Sequence, residues 1–192
     1  MKAEVICILD RSGSMESIRM DSIGGFNTFL DEQKAIKGEA SLTLVLFDDK
    51  YEIVHDNINI QDVPPLDATV FVPRGWTALL DAIGKTVTTV GERLAKTDEA
   101  LRPDKVIVVI LTDGYENQST EYNSEQIKEM IKHQQEKYSW EFIYLGANQD
   151  AFAVGGSLGI KGCNTCSFDA TPAGARSASR MYSSLSTGYR NG

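Results

Sequence analysis

The sequence is poor in the residues that most often carry catalysis or tight metal binding. Only two histidines, His55 and His133, and three cysteines, Cys7, Cys163 and Cys166, occur in 192 residues. An odd cysteine count, with Cys7 inside an apolar run, argues against a disulfide framework and for a reduced, cytoplasmic setting. Cys163-Asn164-Thr165-Cys166 is a lone C-x-x-C. Without a second pair or a histidine partner it reads as ordinary strand sequence rather than a zinc site. No apolar run approaches the roughly 20 residues that span a bilayer, so membrane insertion is not expected. The first apolar stretch ends at Asp10, too short for a signal-peptide core. Positive charge is also scarce: 19 Lys and Arg stand against 27 Asp and Glu, a net charge of −8. That balance excludes a general nucleic-acid-binding surface. The few cations are skewed toward the end, where Arg176, Arg180 and Arg190 follow Thr171 with no acidic residue among them. Internal repeats and divisive linkers are absent, and the length suits one domain over residues 1–192.

What is present is an alternation of strand and helix patterns. Val5–Leu9 is a short apolar run, a buried strand. Ser22–Ile36 has a helical period through Ile23, Phe26, Phe29 and Leu30. Ser41–Phe47 and Tyr51–Ile60 alternate as strands, and the short Asp48-Asp49-Lys50 link predicts an antiparallel hairpin. A loop opens at Pro64 and Pro65 and runs to Trp76. Ala78–Leu94 is helical, with Leu79, Ile83, Val87, Val90 and Leu94 on one stripe. Lys105–Thr112 contains "VIVVIL", the pattern of a central parallel strand buried on both faces. Ser124–Lys137 is a helix capped by Ser124, Trp140–Leu145 a strand, and Asp150–Leu158 a short helix stopped by Gly159. Cys163–Phe168 is a last strand and Pro172–Leu185 a last helix, with Ala175, Ala178, Met181, Tyr182 and Leu185 on one side. The order predicts an α/β sandwich around a mostly parallel sheet.

Sites in such sheets form at the carboxyl ends of strands. Two of the best strands end in carboxylates at that edge: "ICILD" at Asp10 and "VILTD" at Asp113. Asp10 opens "DRSGS", in which Ser12 and Ser14 alternate around Gly13. Three chemistries are open to such a segment: phosphoryl transfer to Asp10, attack by a serine, or metal binding. A bland reading exists for each residue. Ser12 and Ser14 are common turn formers, Asp113-Gly114 is a common loop start, and Thr77 in "RGWTALLDAI" is placed to cap a helix. Their joint occurrence on these elements, in this order, is harder to explain so.

The segments "DRSGS", "GWTALLDAI" and "LTDG" together resemble the metal-ion-dependent adhesion site of von Willebrand factor A (vWA) domains. That motif is D-x-S-x-S, then a threonine before a helix, then an aspartate after the central strand. Asp10, Ser12, Ser14, Thr77 and Asp113 match it. The chain is most similar to short, free-standing vWA proteins of bacteria and phages, which often carry the "IGGFN" stretch found at Ile23–Asn27. The resemblance implies a three-layer Rossmann-like fold with six strands, one antiparallel at the edge, and helices on both faces. It also implies Mg²⁺ or Mn²⁺, with the hydroxyls as direct ligands and the aspartates acting partly through water. Physics agrees with that division. Neutral hydroxyls leave the ion most of its charge, nearby carboxylates balance it, and an Asp or Glu from a protein partner suits the open position. The oxygen donors argue against zinc. Arg11, Met15, Arg74, Trp76 and Tyr115 are expected around the metal as a partner-binding rim.

Rival chemistries fare worse. A phosphatase of the haloacid-dehalogenase type needs a second Asp where Ser12 stands. A serine hydrolase needs a base, but His55 lies on an edge strand and His133 in a helix, and the G-x-S-x-G elbow is missing. "GGSLGIKG" lacks phosphate-loop spacing. The favoured function is a metal-dependent protein-binding module, not an enzyme. The alternatives are an assembly component whose metal only stiffens loops, and an accessory subunit of an AAA+ ATPase complex.

Overall fold

The computed structural model describes residues 2–148 and 150–191. Six strands are laid down in the order β1 (Lys2–Asp10), β2 (Glu39–Phe47), β3 (Tyr51–Asn59), β4 (Lys105–Thr112), β5 (Glu141–Ala147) and β6 (Thr165–Phe168). They form one sheet in the spatial order β3-β2-β1-β4-β5-β6. All neighbours pair in parallel except β2 and β3, which form the expected antiparallel edge hairpin. The strand order reverses between β1 and β4. The register sets Leu9 beside Leu111, so Asp10 and Thr112 leave the sheet side by side.

Successive side chains of the central strands point to opposite faces, and both faces are covered. Val5, Cys7 and Leu9 of β1 join Leu42, Leu44, Leu46, Ile107, Val109 and Leu111 under helices α1 (Arg19–Ala35) and α5 (Pro172–Asn191). Ile6 and Ile8 join Val45, Phe47, Val108, Ile110, Phe142 and Tyr144 under α2 (Leu79–Lys96), α3 (Ser124–Tyr138) and α4 (Ala151–Ser157). This is the α/β sandwich expected from the alternation, in the three-layer form that the resemblance implies.

Several boundaries differ from the sequence reading. The cap of α3 is Asn123 rather than Ser124: Asn123 accepts from the Gln126 N–H, and the Gln126 side chain returns the bond in a capping box. Cys163 lies in a 3-10 turn ahead of β6, so the C-x-x-C is split between turn and strand. Helix α5 runs to Asn191, well past Leu185. Its buried face is more polar than the apolar stripe suggested. Ser179, Ser183, Ser186 and Arg190 are buried beside Ala175, Ala178 and Tyr182, while Met181 and Leu185 are only half-buried. Arg190, the last of the late cations, is buried rather than solvated. It donates to the Gln33 carbonyl at 2.7 Å and to Gln33 Oε1 at 3.1 Å, closing the α1–α5 seam.

The "IGGFN" stretch has a physical explanation on α1. Gly25 faces Ser179 of α5 so closely that a β-carbon would collide with its hydroxyl, which lets the helices approach. Asn27 holds the long loop after Pro64: it donates to the Leu66 carbonyl at 2.9 Å and accepts the Leu66 N–H at 2.7 Å. That loop leads directly to Thr77. Asn27→Ala removes both bonds and leaves the Leu66 backbone to find water. It is expected to lower the unfolding free energy by about 1–2 kcal/mol, read as a fall in the urea midpoint at unchanged m-value.

Candidate metal site

Three segments converge at the carboxyl end of β1 and β4. Asp10 is the last residue of β1 and is fully buried. Its Oδ1 accepts the Ser12 N–H at 2.6 Å, closing the turn, and its Oδ2 accepts from Thr112 Oγ1 at 2.6 Å. Ser12 and Ser14 then bring their hydroxyl oxygens to 3.2 Å of each other. Ser14 Oγ donates to Asp113 Oδ1 at 2.6 Å, linking the first turn to the end of β4. Thr77 arrives from the long loop. A β-carbon built on Gly114 would lie 3.2 Å from Thr77 Oγ1 and 3.8 Å from Ser14 Oγ, so the glycine forms the wall that these two hydroxyls share. The structure therefore gathers Asp10, Ser12, Ser14, Thr77 and Asp113 into one cradle.

The electrostatics of the cradle are unbalanced. Two carboxylates sit at the sheet end, Asp10 shielded completely and Asp113 at 8% exposure, and among the described residues neither forms an ion pair with a basic side chain. Burial pushes the Asp10 carboxyl up to about 6, against the pull of its bonds from Thr112 and Ser12, and the charge of Asp113 adds to the rise. Burial raises Asp113 as well, opposed by the bond from Ser14. Buried carboxylates without a cation are normally avoided, because desolvation penalises the charge. A bound cation would resolve this imbalance.

Thr77 distinguishes a metal cradle from a cluster of turns. A capping threonine would accept a first-turn backbone N–H of α2 on its hydroxyl oxygen. Instead the N-cap position is Ala78, whose side chain cannot cap. The exposed N–H groups of the first turn are satisfied from elsewhere: Leu80 N donates to Glu116 Oε2 at 2.9 Å and Asp81 N to Ser119 Oγ at 3.0 Å. The Thr77 hydroxyl enters no hydrogen bond among the described residues. Capping therefore does not account for it. The donor set suits a hard cation: neutral hydroxyls and carboxylates, with the 3.2 Å Ser12–Ser14 separation near the roughly 2.9 Å between adjacent oxygens around an octahedral ion bonded at about 2.0–2.1 Å. Among the described residues no cluster of three His, Cys, Asp or Glu offers a different metal site.

The expected rim divides. Trp76 and Tyr115 are exposed, at 65% and 63%, on the loops that carry Thr77 and Asp113. Arg74 is half-exposed and donates through Nε to Asp48 at 3.0 Å. Arg11 and Met15 are not rim residues. Met15 is fully buried, because the 3-10 turn over Gly13–Ile18 tucks it into the core beneath α1 and α5. Arg11 is 3% exposed and turned back under the edge hairpin, where its acidic partners are internal: Asp48 at 2.9 Å and Glu52 at 2.7 Å.

Sequence reasoning passed over the residues that hold the cradle together. Fully buried Asp48 accepts from Arg11, Arg74 and the Lys50 N–H, while its carbonyl accepts the Ala78 N–H, so one residue ties the first turn, the hairpin and the entry to α2. Thr112, buried at the end of an otherwise apolar strand, orients Asp10. The one signal for it was a hydroxyl interrupting that apolar run.

No family model and no curated protein matches the chain. Solved structures do. Proximal thread matrix protein 1 of the mussel byssus, in a form with a zinc-occupied MIDAS motif (the metal-ion-dependent adhesion site), superposes with a TM-score of 0.68 at 14% identity over 97% of this chain and 48% of the byssus protein. The von Willebrand factor type A protein of Catenulispora acidiphila gives 0.63 at 14% identity over 97% of this chain and 43% of its own. The vWF domain of the type V pili tip protein Mfa5 of Porphyromonas gingivalis gives 0.65 at 11% identity over 99% and 97%. The chain has the von Willebrand factor A fold. It spans about half the length of the byssus and Catenulispora proteins and nearly all of the Mfa5 domain. The zinc in the byssus motif corrects one sequence argument: oxygen donors of this type do not exclude zinc, which also accepts carboxylate and water oxygens. No helix among the described residues of this vWA fold is long and apolar enough to cross a membrane.

The cap assignment is directly testable. In EDTA, Thr77→Ala is expected to change the urea unfolding free energy by less than about 0.5 kcal/mol, since no cap is lost. Glu116→Ala, which strips the acceptor from Leu80, Gln118 and Ser119, is expected to lower it by about 1–2 kcal/mol.

Proposed function

We propose that this chain is a single vWA module that binds a divalent cation, Mg²⁺ or Mn²⁺, and through it a protein carrying an exposed Asp or Glu. The observation that carries the reading is the uncompensated pair of buried carboxylates, Asp10 and Asp113, bridged by hydroxyls that no helix cap or turn fully uses. Ser12, Ser14 and Thr77 would hold the ion, and the two aspartates would balance its charge and accept from its waters. When bound, the ion supplies a Lewis-acidic position that a partner carboxylate can occupy. The metal-occupied motif of the byssus protein, on the same fold, supports this assignment.

The chain's own residues supply the rest of the interface. Trp76 and Tyr115 stand exposed on the loops that bring Thr77 and Asp113, and aromatic side chains of that kind anchor protein contacts well. Arg74 adds a cation at the same edge, half-exposed and braced by Asp48. An acidic residue flanked by apolar surface is the partner chemistry these groups suit. The acidic surface of the chain as a whole disfavours acidic partners elsewhere, so attraction is confined to the metal edge.

The test separates metal from partner. Mg²⁺ at about 100 times its dissociation constant is expected to stabilise the wild type by about 2.7 kcal/mol, seen as a rise in Tm that EDTA reverses. Asp10→Ala should lose that rise; if it keeps the full Mg²⁺ shift, the metal assignment is wrong. In a pull-down, EDTA and Asp10→Ala should release the same partner, and Trp76→Ala should weaken its capture while leaving the Mg²⁺ shift intact.

A further inference from the structure

The loop after β4 does more than deliver Asp113. From Gly114 to Tyr122 it is laid along the start of α2 and fastened at successive points. Glu116 accepts from Leu80 N across the gap and from Gln118 N, Ser119 N and Ser119 Oγ within the loop, at 2.6–2.9 Å. Asp81 accepts the N–H groups of Thr120, Glu121 and Tyr122, each at 2.9 Å. Lys85 pairs with Glu121 at 2.7 Å. These bonds fix the loop to α2, but none of them reaches the cradle.

Asn117 does. Its side-chain Oδ1 accepts the Thr77 N–H at 3.0 Å, and its own N–H donates to the Thr77 carbonyl at 3.1 Å. The two bonds clamp the backbone of Thr77 on both sides, 40 residues away in sequence. The ordinary role of an asparagine in such a loop is to bond its own turn. Here that role belongs to Glu116, and the side-chain oxygen of Asn117 is spent on Thr77. Asn117 is exposed, so it fills no core space and its bond to Thr77 is not a by-product of packing.

We infer that Asn117 is a positioning residue for the metal cradle: its clamp sets the direction of the Thr77 hydroxyl and so tunes divalent-cation affinity without touching the ion. The inference rests on the metal-binding reading above. The physical reason is that Thr77 sits at the end of a long loop, does not cap the helix that follows, and has no secondary-structure partner of its own. Without the Asn117 side chain, the Thr77 N–H would turn to water and only the backbone bond from Asn117 N–H to the Thr77 carbonyl would remain, so the hydroxyl would sample orientations away from the Gly114 wall. The same clamp couples Thr77 to Asp113, because Asn117 and Asp113 belong to one short loop. Groups that orient a metal's ligands typically change affinity by about 10- to 100-fold when removed, and an exposed one belongs at the lower end.

The experiment uses the full chain and Mn²⁺ alone as probe, with free Mn²⁺ followed by electron paramagnetic resonance. Wild type, N117A, T77A and the double variant form a cycle. The expected result is that N117A weakens Mn²⁺ binding about tenfold, while the double variant binds within about twofold of T77A alone. In the metal-free protein, amide exchange at Thr77 should accelerate in N117A while Leu80, held by Glu116, stays protected. N117S carries the same expectation should N117A not fold. Unchanged Mn²⁺ affinity in N117A, or an equal loss in the T77A background, overturns the positioning role and leaves the metal site standing. A wild type that binds no Mn²⁺ overturns both.

Discussion

The arrangement depends on a charge that the fold creates and does not neutralise. Asp10 ends β1, Asp113 directly follows the adjacent parallel strand β4, and both are carried out of water by the layers on either side. Burial makes both carboxyls reluctant to ionise, and the basic side chains near the sheet end are committed elsewhere: Arg11 and Arg74 to Asp48. A cation is the natural completion of such a site. The hydroxyls of Ser12, Ser14 and Thr77 supply oxygen without further negative charge, so a bound ion would remain attractive to an outside carboxylate.

Two sets of contacts keep that cradle in shape, and both converge on the entry to α2. From one side Asp48 gathers the first turn, the edge hairpin and the Arg74–Ala78 segment. From the other, the loop after β4 caps α2 through Glu116 and Ser119 and grips Thr77 through Asn117. The division of labour is physical. A threonine that capped its own helix would spend its hydroxyl on the backbone. By supplying the cap from another loop, the fold leaves that hydroxyl unspent beside Gly114.

Much of the architecture was legible because hydrophobic periodicity reports burial. Lys105–Thr112 matches β4 residue for residue, since a strand covered on both faces must be apolar throughout. The hairpin and the mostly parallel sheet followed from alternation and link length, and the helices on both faces from the resemblance to vWA domains. The five cradle positions were legible because their residue types recur at fixed places on recognisable elements. Arg11 and Met15 were misplaced for a related reason: sequence proximity to a site does not tell which way a side chain turns. The buried polar face of α5 was missed because serines on a helix give no sign of burial unless their partners on α1 are known.

The sequence by itself determined the order of elements, the apolar stripes that they bury, and the kinds of atoms found where β1 and β4 end. Those are local or periodic properties, written in residue type and spacing. Only the tertiary structure decided that Thr77 is not a cap, that Arg11 answers to Asp48 and Glu52, and that Asn117 reaches across 40 residues to hold Thr77. Each is a choice among hydrogen-bond partners of similar strength, and a short distance in space, which sequence separation does not encode, settles it.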